Sequence, residues 1–208
     1  MSLEAAYRTR FSSVLQPLAV DLSAYITETL MGEPRIDRIS VRAKSIDRFI
    51  KKSQNTDSNG NCKYEKPLVQ IQDQIGARVT VFYKTDVDRI ATKLLPYFRT
   101  IEEKDLVPVS EWEFGYFGRH YVCHFPSEII DPKWDAENIP YFFELQIKTL
   151  FQHAWSEANH DLGYKPEGGA LSSDQVRMMA FTSAQAWGAD RAFDDLFREL
   201  HQNVENKD

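Results

Sequence analysis

Between Arg35 and Lys52 the chain carries Arg35, Arg38, Arg42, Lys44, Arg48, Lys51 and Lys52 against only Asp37 and Asp47. Taken alone, a run like this is the solvated face of a helix. Its chemical weight comes from its company: Asp73 and Arg78 around one apolar segment, and Glu144 and Gln146 inside another. Guanidinium and ammonium groups neutralise phosphates. Carboxylate oxygens hold Mg²⁺, a hard cation that keeps several of its waters. Gathered in one cleft, these residue types suit a metal–nucleotide complex. A carboxylate placed in an aromatic-rich strand costs several kcal/mol unless it is paired, solvated or metal-bound. Glu144 therefore needs a partner or a wet face.

The elements that would position these groups follow from periodicity. Residues 3 to 31 read as a helix, with Phe11, Val14, Leu15, Leu18, Leu22, Tyr25, Ile26 and Leu30 at three- and four-residue steps and Pro17 as a kink point. Gly32 and Pro34 end it. A second helix follows Arg42, where Ile46, Phe49 and Ile50 form an apolar face and Lys44, Arg48 and Lys52 share another. The polar stretch Ser53–Pro67 contains Asp-Ser-Asn-Gly-Asn and reads as a mobile loop. Residues 75 to 83 alternate as a strand, with Ile75, Ala77, Val79 and Val81 opposite Arg78 and Thr80. Asp73 has the parity of the apolar set, so it serves as a ligand only if the strand begins after it.

A helix from about Asp86 to Phe98 comes next, then strand-like segments near 99–107 and 117–125. In Tyr141–Ile147, Tyr141, Phe143, Leu145 and Ile147 share one face and leave Glu144 and Gln146 on the other. Helices at roughly 149–161 and 173–203 finish the chain. This order predicts an α+β fold: a mixed, mostly antiparallel sheet with helices packed on one face and a polar open face.

The 208 residues, 42% of them hydrophobic, suit one domain with one core. No apolar run reaches the length of a membrane span and the N-terminus has no signal-peptide pattern, so a cytoplasmic protein without membrane association is expected. A net charge of −6 argues against coating nucleic acid by average charge. Cys62 and Cys123 lack the spacing of a disulfide framework or zinc finger. His153, Glu157 and His160 fall at i, i+4, i+7, which is not the HExxH arrangement of zinc proteases. Trp155 in the same segment reads as core.

Arg42-Ala-Lys44-Ser45-Ile-Asp-Arg48-Phe-Ile-Lys-Lys52, Asp73-Gln-Ile-Gly76-Ala-Arg78, Gly115-Tyr116-Phe-Gly-Arg-His120 and Glu144-Leu-Gln146-Ile-Lys148-Thr149 resemble, in order, the motifs of the RelA/SpoT synthetase domain. Gln152-His-Ala-Trp155-Ser-Glu157-Ala-Asn-His160-Asp161-Leu-Gly-Tyr164-Lys165 is similar to the segment that follows in small alarmone synthetases. The resemblance covers about residues 35 to 166, as a catalytic core between the two terminal helices. It implies a nucleotidyltransferase-like fold in its small, synthetase-only form, and Mg²⁺-dependent transfer of pyrophosphate from ATP to the ribose 3′-hydroxyl of GDP or GTP for stringent-response signalling.

By the same resemblance, Arg42 and Arg78 sandwich the adenine of ATP. Lys44 and Lys52 contact the triphosphate, with Arg48 an added cation beside it. Asp73 and Glu144 bind Mg²⁺, and Glu144 is also the candidate general base. Gln146 orients the acceptor, Tyr116 stacks on its base and His120 lies near the transferred phosphates. Read without the family, Tyr116 is an edge-strand aromatic and His120 a hydrogen-bonded strand end.

The acceptor segment departs from the family. Phe114-Gly115-Tyr116-Phe117-Gly118-Arg119-His120 stands where Asn-Gly-Tyr-Arg-Ser-x-His is usual, the preceding Asn-Pro-Lys is missing, and Lys148 replaces an arginine. Two alternatives therefore stay open: pyrophosphorylation of the tRNA 3′ end or of adenosine nucleotides, and an inactive nucleotide-binding regulatory module. Retention of both Asp73 and Glu144 argues against the second. The C-terminal stripe Val176, Met179, Ala180, Trp187, Phe193, Leu196, Phe197 and Leu200 is expected to cover the core, or to join copies of the chain in a homo-oligomer.

Overall fold

The computed structural model describes residues 1–105, 116, 118–163 and 171–205. Gly115, Phe117, Tyr164 and Lys165 of the motifs above lie outside these residues. The N-terminal helix runs as α1 (Leu3–Arg10), a π-helical turn (Phe11–Leu15) and α2 (Gln16–Thr29). Proline lacks an N–H and its ring crowds the carbonyl four residues earlier. The wider π turn sits just before Pro17, so the expected kink takes that form. The Ser2 hydroxyl caps α1 by accepting from the Ala5 N–H at 3.2 Å.

Strand β1 (Ile36–Ala43) lies where the sequence reading saw only an approach to the cationic helix. Ile39, Val41 and Ala43 alternate there with Ser40 and Arg42, a two-residue period obscured by the charges. Helix α3 (Ile46–Ser53) starts after Lys44, so Lys44 does not share a helix face with Arg48 and Lys52. The polar stretch after α3 is tied by Asp57, whose Oδ1 accepts from the Asn59 and Asn61 N–H groups at 2.8 and 2.9 Å. A short helix α4 (Pro67–Gln70) and a 3₁₀ turn (Gln72–Gln74) lead into β2 (Ile75–Val81). Asp73 thus precedes the strand and escapes its parity. Helix α5 (Lys84–Leu94), β3 (Thr100–Asp105), β4 (Arg119–His124), β5 (Phe142–Thr149), α6 (Leu150–Gly163) and α7 (Ser173–Glu205) follow.

The strand order is β1-β2-β5-β4-β3, with β2 and β5 parallel and every other pair antiparallel. A parallel pair requires a long connection. Helix α5 and the β3–β4 pair occupy it. Ile75, Ala77, Val79, Val81, Phe143, Leu145 and Ile147 form the buried face, covered by Leu18, Leu22 and Ile26 of α2 and Val87, Ile90 and Leu94 of α5. This is the mixed, mostly antiparallel α+β sheet expected, with one addition. Helix α6 reaches polar side chains of the opposite face and closes part of it.

Helix α7 overturns the expectation that its apolar stripe covers the core. Val176, Trp187, Phe193, Leu196 and Leu200 are exposed, whereas Ser183, Asp190 and Asp194 are buried. Its inner face is polar because it docks on polar groups. Asp194 Oδ1 accepts from both the Thr85 N–H and hydroxyl at 2.8 Å, at the start of α5. Trp155 is buried, as read. Among the described residues, no helix is long and apolar enough to cross a membrane.

Candidate active site

Strand register assembles the open face in rows. Arg42 lies opposite Gly76, Gly76 beside Glu144, and Glu144 opposite Val122. In the next row Ser40, Arg78, Gln146 and His120 stand abreast. Thr80 and Lys148 pair in the row beyond. Gly76 leaves an opening between Arg42 and Glu144, since a Cβ there would meet nothing within 4 Å.

Asp73 gathers the cations at one end of this face. Its Oδ2 accepts from Lys44 Nζ at 3.0 Å and Lys52 Nζ at 2.9 Å. Two elements deliver these lysines, the link after β1 and the last turn of α3, and the 3₁₀ turn presents the carboxylate between them. Asp73 Oδ1 is buried with no hydrogen-bond partner among the described residues. An ionised oxygen in that condition fits a hard cation. Arg48 is exposed on α3 and stands outside this convergence.

Glu144 finds the partners its strand position demands. Its Oε1 accepts from His120 Nδ1 at 2.9 Å and its Oε2 from the Gln146 amide at 3.2 Å. Burial pushes its carboxyl up, but the hydrogen bond and charge of His120, the Gln146 amide and the charge of Lys52 prevail and bring it down to about 2. Glu144 is therefore ionised at neutral pH. Lys52 links the two carboxylates, bonding to one and acting on the other through its charge. His120 Nε2 is buried and has no partner among the described residues.

Three partners hold Arg78. Its Nε donates to Gln146 Oε1 at 3.1 Å, and one terminal nitrogen donates to Glu157 Oε1 at 2.6 Å and meets His153 Nδ1 at 2.9 Å. Lys148, 3% exposed, donates to Ser156 Oγ at 3.2 Å, and burial together with the Arg78 charge lowers it to about 8. Gly118 permits that placement, because a Cβ there would lie 2.4 Å from Lys148 Cγ. The α6 residues His153, Ser156 and Glu157 were missed as site residues. Their signal was polar spacing at i, i+3, i+4 on one helix face.

The structure draws Tyr116 away from the acceptor position given to it. It is 6% exposed, its hydroxyl donates to Asp190 of α7, and Thr149 Oγ1 donates to the same carboxylate oxygen at 2.6 Å. Burial raises both Tyr116 and Asp190 above their ordinary values. A separate open groove of about 860 Å³ runs between α2 and β1. It is lined mainly by small and apolar residues and, among the described site residues, shares Arg42 with the sheet face.

The sequence profile of the region found in RelA / SpoT proteins matches residues 41–169. The chain belongs to this family. Every residue from Arg42 to Glu157 described above falls inside the matched region. Among curated proteins, the chain is 24% identical over 123 residues to GTP pyrophosphokinase YjbM of Bacillus subtilis (strain 168). That match takes in 57% of this chain and 56% of the relative's length. Among solved structures, a GTP pyrophosphokinase family protein from Streptococcus pneumoniae shares the RelA/SpoT-type fold with a TM-score of 0.70 at 21% identity, covering 100% of both chains. The small alarmone synthetase 1 of Bacillus subtilis, solved bound to its product pppGpp, follows with a TM-score of 0.68 at 18% identity, over 94% of this chain and 96% of that one.

Proposed function

We propose that this RelA/SpoT-family chain transfers pyrophosphate from ATP to the ribose 3′-hydroxyl of GDP or GTP, making the guanosine tetra- or pentaphosphate alarmone of stringent-response signalling. The observation that carries this reading is the convergence of Lys44 and Lys52 on Asp73, beside an ionised Glu144 held by His120 and Gln146. Family membership supports it, as do the pyrophosphokinase relatives and a fold neighbour bound to pppGpp.

Phosphoryl-type transfers ask a protein for positioning and charge neutralisation more than for covalent work. Lys44 and Lys52 bind the triphosphate, with Arg48 at its rim, while Arg42 and Arg78 hold the adenine between guanidinium planes. Asp73 and Glu144 are the residues that would hold Mg²⁺, which would supply neutralisation of phosphate charge. Among the described residues no third acidic, His or Cys side chain joins them, so water and phosphate oxygens would supply the remaining ligands. Gln146 and His120 orient the acceptor and the transferred phosphates. The acceptor oxygen bonds to the β-phosphorus, the bond from that phosphorus to the α–β bridging oxygen breaks, AMP departs, and the hydroxyl proton passes to Glu144.

The buried Tyr116 favours keeping a second acceptor class in view, the tRNA 3′ end or an adenosine nucleotide. Incubation with labelled ATP, Mg²⁺ and separately GDP, GTP, ADP and tRNA tests the choice. Label in guanosine nucleotides is the expected result. Label confined to tRNA or ADP overturns the acceptor, and no transfer to any of them overturns the enzyme in favour of a nucleotide-binding module. The exposed apolar residues of α7 support a homo-oligomer, which mass measurement in solution would reveal.

A further inference from the structure

Arg78 is fixed before any ligand arrives. It is 19% exposed on its side chain, and its donors are engaged by Gln146 from the sheet through Nε and by His153 and Glu157 from α6 through one terminal nitrogen. A guanidinium donates only from its edge, in its own plane, and both of its faces are left for stacking. Edge contacts from two different elements therefore set the plane itself. His153 is suited to its part. Burial and the Arg78 charge lower its pKa, so the ring is neutral at pH 7 and Nδ1 accepts, with the proton on Nε2. Arg42 enters the same arrangement. Burial disfavours the Glu157 charge, but the Arg78 hydrogen bond and the Arg78 charge outweigh it, and the Arg42 charge acts in the same direction. The Glu157 carboxylate thus bonds to Arg78 and is acted on by Arg42 through its charge.

We propose that Glu157, with His153, is the positioning pair that sets the Arg78 plane for the purine of the nucleotide donor, making α6 part of the donor site without touching the donor. This rests on Arg78 forming one side of the adenine clamp. A long side chain ordered in advance loses less rotamer freedom on binding, and that saving appears as affinity. Removal of Glu157 weakens the clamp and leaves the triphosphate contacts of Lys44 and Lys52 intact.

Calorimetric binding of a non-hydrolysable ATP analogue and of inorganic tripolyphosphate, both with Mg²⁺, tests this without requiring turnover. Glu157→Ala should weaken analogue binding about tenfold, about 1.4 kcal/mol, and leave tripolyphosphate binding within about twofold. Glu157→Gln, which keeps the hydrogen-bond acceptor, should recover part of the loss, and Glu157→Ala in an Arg78→Ala background should add nothing. Equal weakening of both ligands, a tighter analogue in Glu157→Ala, or an undiminished effect without Arg78 overturns the positioning role. If Arg78→Ala itself leaves analogue binding unchanged, the clamp reading fails and the proposal falls with it. If Arg78→Ala weakens binding while both Glu157 variants bind normally, only the positioning role fails.

Discussion

Replacing Lys148 with methionine should make the protein more stable. Its ammonium is buried, its polar contact among the described residues is the Ser156 hydroxyl, and its pKa is lowered from 10.5 to about 8, first by burial and then by the Arg78 charge, against the opposing charges of Glu144 and Glu157. A shift of that size corresponds to roughly 3 kcal/mol disfavouring the charged form in the folded state. Because the folded pKa lies below the unfolded one, the unfolded chain binds more protons between about pH 8 and 10.5, and stability rises with pH across that window. Below pH 8 the full penalty is present. Lys148→Met should therefore gain up to about 3 kcal/mol at pH 7, less whatever packing and hydrogen bonding the lysine provided. At pH 10 the gain should shrink below about 1 kcal/mol, because the folded lysine is then already neutral. Urea unfolding of both proteins at pH 7 and pH 10 measures the gap, and taking the difference cancels other titrating groups. A variant less stable at pH 7, with a gap that does not change with pH, would refute the reasoning.

Glu144→Gln should abolish turnover while ATP still binds; near-normal rates in the labelled-ATP assay would remove Glu144 from the mechanism. Gly118→Ala should cost about 1–3 kcal/mol in a urea titration, because the added carbon would lie 2.4 Å from Lys148 Cγ and 2.6 Å from the Ile147 carbonyl oxygen. An unchanged midpoint would contradict that contact. Tyr116→Phe should cost about 1–3 kcal/mol by removing a buried donor from Asp190. If it instead leaves stability intact and raises only the acceptor KM, Tyr116 leaves Asp190 to serve the acceptor.

The fold was legible where one face of an element is uniformly apolar. Ile75, Ala77, Val79 and Val81 announced β2, and Phe143, Leu145 and Ile147 announced β5, so the faces carrying Arg78, Glu144 and Gln146 followed from parity. β1 was concealed because an edge strand carries charge on its open side, and Arg38 and Arg42 drew attention to a cation count instead of an alternation. α7 misled for the opposite reason. A stripe of large apolar residues implies burial only when nothing else competes for the inner face, and there the start of α5 presents Thr85, the end of β5 Thr149 and the chain ahead of β4 Tyr116, which select Asp194 and Asp190. Partners contributed across long sequence distances, such as Glu157 for Arg78, have no local pattern to betray them.

On the proposed function, the donor side works by a charge exchange that a magnesium triphosphate would satisfy. Lys44 and Lys52 share one carboxylate oxygen of Asp73, and the other oxygen of that carboxylate is buried without a partner among the described residues. When the lysines turn to phosphate oxygens, Asp73 loses both of its counterions at once. A carboxylate with one oxygen buried and unpartnered is destabilised when its ion pairs are removed. Bare triphosphate would impose that cost, whereas a bound Mg²⁺ would supply Asp73 with a cation in place of the ammonium groups. On the proposed function, Asp73 would couple affinity for the nucleotide to the presence of the metal. Tripolyphosphate should accordingly bind more weakly when Mg²⁺ is withheld, and Asp73→Asn should reduce that dependence. A metal dependence unchanged in the variant would place the coupling elsewhere.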